Sequence, residues 1–325
     1  MDAHAKTMGG LKRKLGELRT FIPSGDPVLY LDYPMHLNIG DQLINLGTEA
    51  WFADHGYTVT NRASHFDCSD RNLRKVGADS TIVLHGGGNF GDIYPVHQEF
   101  REYIVGRFRN NRIVVMPQSV HFKSTDRLRV AAEIFSRHPR LTIAVRDTES
   151  FDLLTKHFKN DIRLFPDMAH QLWSRPDMTA GSVGRATDGA NRTLVLWRQD
   201  IEAVAKPAGF AQDRDLIDWE ALMTANDIRV YKAILRWYRL DRRLGHLFPN
   251  HLLWYPIRAR LVNRMICLFR SYDNIVTNRL HAMILGALLS RNVEFSDNSY
   301  GKLSRYWSAW LKDSDLKPVP GTPCG

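Results

Sequence analysis

Cysteine is scarce in this chain: Cys68, Cys267 and Cys324 are the three among 325 residues, odd in number and far apart. Such spacing excludes a disulfide framework and a four-cysteine zinc site, and it suits a reducing compartment. Long apolar runs are missing too. The longest, such as Ala282 to Leu289, are core-sized and fall well short of the roughly 20 residues of a membrane-crossing helix. Met1 to Arg19 mixes Lys and Arg with few consecutive apolar residues, so it lacks the apolar centre of a signal peptide and reads as a short leader or a helix. Repeats, low-complexity tracts and carboxylate clusters with metal spacing are likewise lacking, and no obligatory metal or cofactor is expected. These absences leave a cytoplasmic protein, either soluble or peripheral at the inner membrane face.

What is present is an average globular composition, 44% hydrophobic and 24% charged. The length exceeds what one growing core usually organises, so two domains are expected. The formal net charge of +9 draws anions, whether phosphorylated metabolites, nucleic acid or a membrane face. Local motifs must choose among them.

Strand-like and helical runs alternate through the first half. Val28 to Leu31, Thr58 to Asn61, Thr81 to Leu84, Ile113 to Met116, Leu141 to Val145 and Ile162 to Phe165 read as strands. Asp41 to His55, Glu99 to Asn110, Asp126 to Arg137 and Glu149 to Phe158 read as helices. Short β-rich runs separated by helices predict a parallel sheet covered on both faces. The polar stretch 174–191, rich in Gly with Pro176, marks the domain boundary. A second α/β pattern then follows, with Thr193 to Trp197, Ile275 to Thr277 and the apolar helix Leu280 to Leu289. The expected architecture is α/β, with two Rossmann-like domains, 1–178 and 190–325, facing one cleft.

The most informative stretch runs from strand Thr81 to Leu84 through His85-Gly86-Gly87-Gly88-Asn89-Phe90-Gly91-Asp92. Adjacent glycines let the main chain approach an anionic ligand closely at a strand end, and a tight strand-to-helix turn is the alternative. Tyr94 and His97 add polar groups nearby. Four other strand ends gather chemistry. Asn38, Gly40 and Asp41 open a helix, as caps or as a phosphate cradle. Gln118 and Ser119 end the strand Ile113 to Met116. Arg146, before Asp147, is available for bidentate contact with a carboxylate or phosphate, or for pairing with an acid. Arg279 and His281 bracket the start of an apolar helix, whose positive end favours an anion with a proton donor beside it. Lys302, after the Val293 to Phe295 strand, is a third cation.

The segment Arg229 to Arg264 is strongly basic, with Asp241 as its only acid, and interleaves Trp237, Tyr238, Phe248, Trp254 and Tyr255. Two solvated amphipathic helices joined near Gly245 to Asn250 are one reading. An anionic membrane surface is another. Nucleic acid is not expected, because no recognised nucleic-acid module is present.

Taken in order, these motifs resemble the polysaccharide pyruvyl transferase family, in its exopolysaccharide branch. The resemblance rests on Asn38-Ile39-Gly40-Asp41, Gly86 to Asp92 with Tyr94-Pro95 and His97-Gln98, Pro117-Gln118-Ser119, Val145-Arg146-Asp147 with Ser150, Pro166-Asp167-Met168-Ala169, Arg279-Leu280-His281, and Asp297 to Lys302. It implies a fold similar to two-domain, GT-B-like glycosyltransferases. It also implies transfer of a pyruvyl group from phosphoenolpyruvate to two hydroxyls of an exopolysaccharide sugar or its lipid-linked repeat unit, as a ketal. On this reading Arg146, Arg279 and Lys302 bind the donor, and His281 moves a proton or steadies the departing phosphate. Asp41, Asp92 and Asp167 are candidate bases towards the sugar. Asn38, Gly40, His85, Gly86, Gly87, Gly88, Asn89, Gln118 and Ser119 form the acceptor side or backbone cradle. The N-terminal domain is then the acceptor side and the C-terminal domain the donor side. The family pattern is not seen in Arg229 to Arg264 or after Trp310. A nucleotide-sugar glycosyltransferase and a non-catalytic glycan-binding protein of an assembly complex are the alternatives, since fold does not dictate function.

Overall fold

The computed structural model describes residues 2–69, 73, 76–179, 192–198, 217–297 and 301–319. Most of the expected linker, together with Asn298, Ser299, Tyr300 and Cys324, lies outside the described residues. The N-terminal segment forms helix α1, Ala3–Gly16, the helical one of its two expected readings. Its His4, Met8, Leu11 and Leu15 recur every three to four positions and are buried on one face. His4 Nε2 lies 2.9 Å from the Ala287 carbonyl oxygen, which ties the chain start to a helix of the second half.

Parallel pairing organises the first half, as the continuous apolar runs predict. Its strands are β1 Val28–Leu31, β2 Val59–Ala63, β3 Thr81–Leu84, β4 Gly87–Gly91, β5 Arg112–His121, β6 Leu141–Val145 and β7 Asp161–Leu164. The order is β2-β1-β3-β5-β6-β7, with β4 beside β5. Succession runs outward in opposite directions from β1 and β3, so the crevice between their carboxyl ends is the topological switch point where ligands bind in such sheets. Helices α2 Ile39–Asp54, α3 Pro95–Arg107, α4 Thr125–Ser136 and α5 Thr148–His157 cover the faces.

Two expectations change here. The glycine run is not a turn into a helix: the chain leaves β3 at Leu84 and resumes as β4 along the far half of β5. Gly91, at φ +122°, lies so close to the His121 carbonyl that no side chain fits there. With β4 supplying a partner, β5 continues to His121, and Gln118 and Ser119 lie within it rather than beyond its end.

The second sheet, order β11-β10-β9-β8, is also parallel. It contains β8 Thr193–Leu196, β9 Asn274–Thr277, β10 Asn292–Phe295 and β11 Lys317–Pro318. The long helices α6 Ala225–Arg243 and α7 His251–Arg270 form the expected helical pair of the basic segment, followed by α8 Leu280–Leu288 and α9 Lys302–Trp310. Thr224 and Asp227 close a capping box at the start of α6. One continuous apolar cluster passes from Tyr30 and Trp51 of the first half to Leu196, Met283 and Phe295 of the second. No helix among the described residues is long and apolar enough to cross a membrane.

Candidate functional site

Segments that follow the carboxyl ends of β1, β3, β6, β8, β9 and β10 meet around a cavity of about 290 Å³. The first sheet contributes His36, Asn38, Asp41, Gly88, Asn89 and Arg146. From the second come Arg198, Arg279, His281 and Lys302, with Trp219 from the segment before α6. Four helices begin at its wall: α2 after Asn38, α3 after Tyr94, α8 after Arg279 and α9 after Gly301. Four cations and four helix N-termini against the single lining carboxylate Asp41 suit a compact, multiply charged anion.

Arg146, 1% exposed, is fixed from behind by Asp167, whose Oδ2 accepts from Nη1 at 2.5 Å. Its Nε donates to Ser119 Oγ at 3.0 Å, and Ser119 in turn donates to Asp147 Oδ2 at 2.6 Å. His281 Nε2 lies 3.4 Å from the same Asp167 oxygen and 3.3 Å from Arg146 Nη1. Burial alone would raise the Asp167 carboxyl, but Arg146 and His281 outweigh it and hold Asp167 ionised well below the usual carboxylate range. Asp167 therefore positions both groups from beneath and does not line the cavity, in place of the expected base towards the sugar. Asp41 does face the cavity. Burial is opposed there by His36, His281, His85 and Arg146, and the carboxyl again lies low.

The cradle is built on Gly88. A Cβ there would sit 3.0 Å from both Arg146 Nη2 and Lys302 Nζ, so glycine lets two cations close on the backbone. Gln118 holds this strand: its Nε2 donates to the His85 carbonyl at 2.8 Å and to Asn89 Oδ1 at 3.1 Å. Arg279 is not a lone donor-binding cation, because Asp218 grips it, with Nη2 to Oδ2 at 2.5 Å. Asn38 caps α2 through Gly40 N at 2.9 Å.

Other expected residues are placed elsewhere. Asp92 lies off the cavity, where its two oxygens accept from Lys123 N and Ser124 N at 2.8 Å, closing a turn rather than serving as a base. His85, Gly86 and Gly87 lie behind the wall. His85 is 2% exposed, its Nδ1 is 2.5 Å from Tyr30 Oη, and burial lowers its pKa to about 4. Ser119 faces a smaller neighbouring hollow with Asp147, Glu149, Lys302 and Arg305.

Sequence reasoning missed Arg198, Trp219, Asp218 and Asp32. Arg198 carried a usable signal, since it follows a strand directly. Asp32 did not: it holds a left-handed backbone at φ +63° beyond β1, and its buried carboxylate lies 2.9 Å from His97 Nδ1 and 3.3 Å from His65 Nδ1. Asp32, His65 and His97 are the group among the described residues that could hold a metal ion, with ligand atoms within 4.8 Å of one another. Arg101 Nη2, 3.7 Å from Asp32, already supplies a compensating charge. Burial opposes ionisation of Asp32, yet His97, His65 and Arg101 hold its pKa far down.

The fold and site define an α/β protein with a cation-lined cavity at the carboxyl ends of two parallel sheets. The family profile of polysaccharide pyruvyl transferase matches residues 38–293. The chain belongs to that family. It is 36% identical over 309 residues to "Putative pyruvyl transferase EpsO" of Bacillus subtilis (strain 168), covering 94% of this chain and 92% of the relative. Pyruvyl transferase 1 of Schizosaccharomyces pombe is 27% identical, over 90% of this chain and 71% of its own. A crystal structure of a functionally uncharacterized Klebsiella pneumoniae protein shares the fold, with a TM-score of 0.61 at 17% identity, over 96% of this chain and 98% of that one.

Proposed function

We propose that this pyruvyl transferase takes its pyruvyl group from phosphoenolpyruvate and sets it on two hydroxyls of an exopolysaccharide sugar as a ketal. The observation that carries the reading is the ring of Arg146, Arg198, Arg279 and Lys302 around a cavity of about 290 Å³. That ring suits a small donor bearing both a phosphate and a carboxylate. The two sheets act as two halves, with the donor cations drawn from both and the sugar entering from the side of Asn38, Asp41 and Asn89.

In the reaction, a proton is added to the donor's methylene carbon, making the methyl group and an electrophilic C2. One sugar hydroxyl bonds to C2, the C2–O bond to phosphate breaks, and a neighbouring hydroxyl closes the ring. The two hydroxyl protons balance the methyl proton and the hydrogen phosphate released. His281 at the cavity wall delivers the proton, held by Asp167, and Asp41 accepts from the sugar. The cations stabilise phosphate as it leaves.

Calorimetric titration of the full chain with phosphoenolpyruvate, beside Arg279→Ala and a panel of nucleotide sugars, tests the donor. Saturable binding that is lost in Arg279→Ala supports the proposal. Absence of such binding, with a nucleotide sugar bound instead, overturns it in favour of glycosyl transfer.

A further inference from the structure

Six exposed apolar side chains gather where α6 turns into α7: Trp237, Leu240, Leu244, Leu247, Phe248 and Leu252. Leu247 is 61% exposed and Leu252 56%. Soluble surfaces scatter such residues singly, and a cluster marks an interaction site. This turn is also closed by its own hydrogen bonds. Buried Asp241 accepts from the amides of Leu247 and Phe248 at 3.0 and 3.1 Å and from Asn250 Nδ2 at 2.9 Å. Trp237 Nε1 donates to Asn250 Oδ1, and Tyr238 Oη to the Asn250 carbonyl.

Charge selects the occupant. Arg236, Arg239, Arg242 and Arg243 are exposed around the same turn. The acids of this helix pair are otherwise engaged, Asp227 by Arg260 and Arg264 and Asp241 by the turn itself. Apolar side chains ringed by arginines match the acyl and headgroup layers of an anionic bilayer. A second copy of this chain would set four arginines against four.

The turn is also linked to the cavity. His97, on the cavity wall, has its ring 4.5 Å from that of His65, which lies 4.0 Å from the exposed Phe66. The next residue, Asp67, accepts from Tyr33 Oη at 3.3 Å, and Tyr33 Oη is 3.0 Å from Tyr238 Oη. Exposed Phe66, Tyr94 and Val96 extend apolar surface to the cavity rim.

We propose that the α6–α7 turn is a docking surface for a bilayer of anionic phospholipids, and that docking brings the cavity rim to the membrane. The affinity expected of the whole basic segment thus narrows to one turn, since Arg258, Arg260 and Arg264 serve the fold.

The test is co-sedimentation of the full chain with vesicles of phosphatidylcholine alone or with about 30% phosphatidylglycerol, at low and high salt. The expected result is partition into the anionic vesicles only, weakened by salt. Arg239→Gln, Arg242→Gln and Arg243→Gln together should weaken it about 100-fold. Leu244→Asp with Leu247→Asp should abolish it at an unchanged melting temperature. Equal partition into both vesicles, or wild-type partition by the arginine variant, whose changes touch only exposed side chains, overturns the proposal. So does a wild-type dimer that the leucine variant dissociates and that leaves vesicles unbound. Neither partition needs the donor, so this proposal and the donor assignment fail separately.

Discussion

Gly40, in the first turn of α2, packs directly beneath His281, so closely that a side chain at position 40 would occupy the space of the imidazole Nδ1. Two residues far apart in sequence, one from each sheet's half, thus share one van der Waals space at the cavity wall. Gly40→Ala ordinarily favours a helix by about 0.5–1 kcal/mol. Here it should displace His281 and lower phosphate release from phosphoenolpyruvate about 100-fold. Turnover measured beside a thermal melt checks this; wild-type turnover would show that His281 does not need its present position.

His281→Ala should leave phosphoenolpyruvate affinity within a few-fold of wild type and reduce turnover by about 10²–10⁴, the usual worth of a positioned proton donor. Calorimetry paired with single-turnover phosphate release separates the two quantities. Unchanged turnover would remove His281 from the reaction.

Asp167→Asn removes the charge beneath Arg146, which is 1% exposed, and leaves that guanidinium buried without its partner. A loss of about 3–5 kcal/mol is expected in urea unfolding, because desolvation of the cation is no longer compensated. Asp92→Asn, on an off-cavity turn, should retain donor affinity.

Stability should fall as the medium is acidified from pH 7 to 5. His85 and His170 are buried and their pKa values are lowered by that burial to about 4, against 6.5 in the unfolded chain. The unfolded chain therefore takes up protons first, so the stabilisation is full above pH 6.5, declines as pH falls, and is gone below about 4. Each contributes on the order of 3 kcal/mol. Melting temperatures across this range check the sign, and His85→Gln should flatten the slope.

Chelation should leave turnover unchanged, since Asp32 already has His97, His65 and Arg101 as partners. Activity lost after chelator treatment and restored by a divalent ion would instead assign a metal to the Asp32, His65 and His97 group.

The local elements were legible in the sequence because they are encoded locally. Thr81 to Leu84 is β-branched and apolar, and Leu280 to Leu288 follows the strand Asn274–Thr277 as an apolar helix, so each appears where periodicity and composition put it. The same reasoning places residues at strand ends, which is why Arg146, Arg279, His281 and Lys302 could be named and are now found around one cavity. Pairing was beyond its reach. Asp167 beneath Arg146 and His281, Asp218 on Arg279, Gly40 under His281 and the resumption of β3 as β4 join residues whose separation along the chain carries no periodic signal. Sheet order and the packing of one half on the other decide which charges meet, because those contacts form only when non-local surfaces are buried together. Hence residue chemistry and strand-end position were determined by the sequence itself, while the tertiary structure alone decided which groups face the cavity and which hold them there.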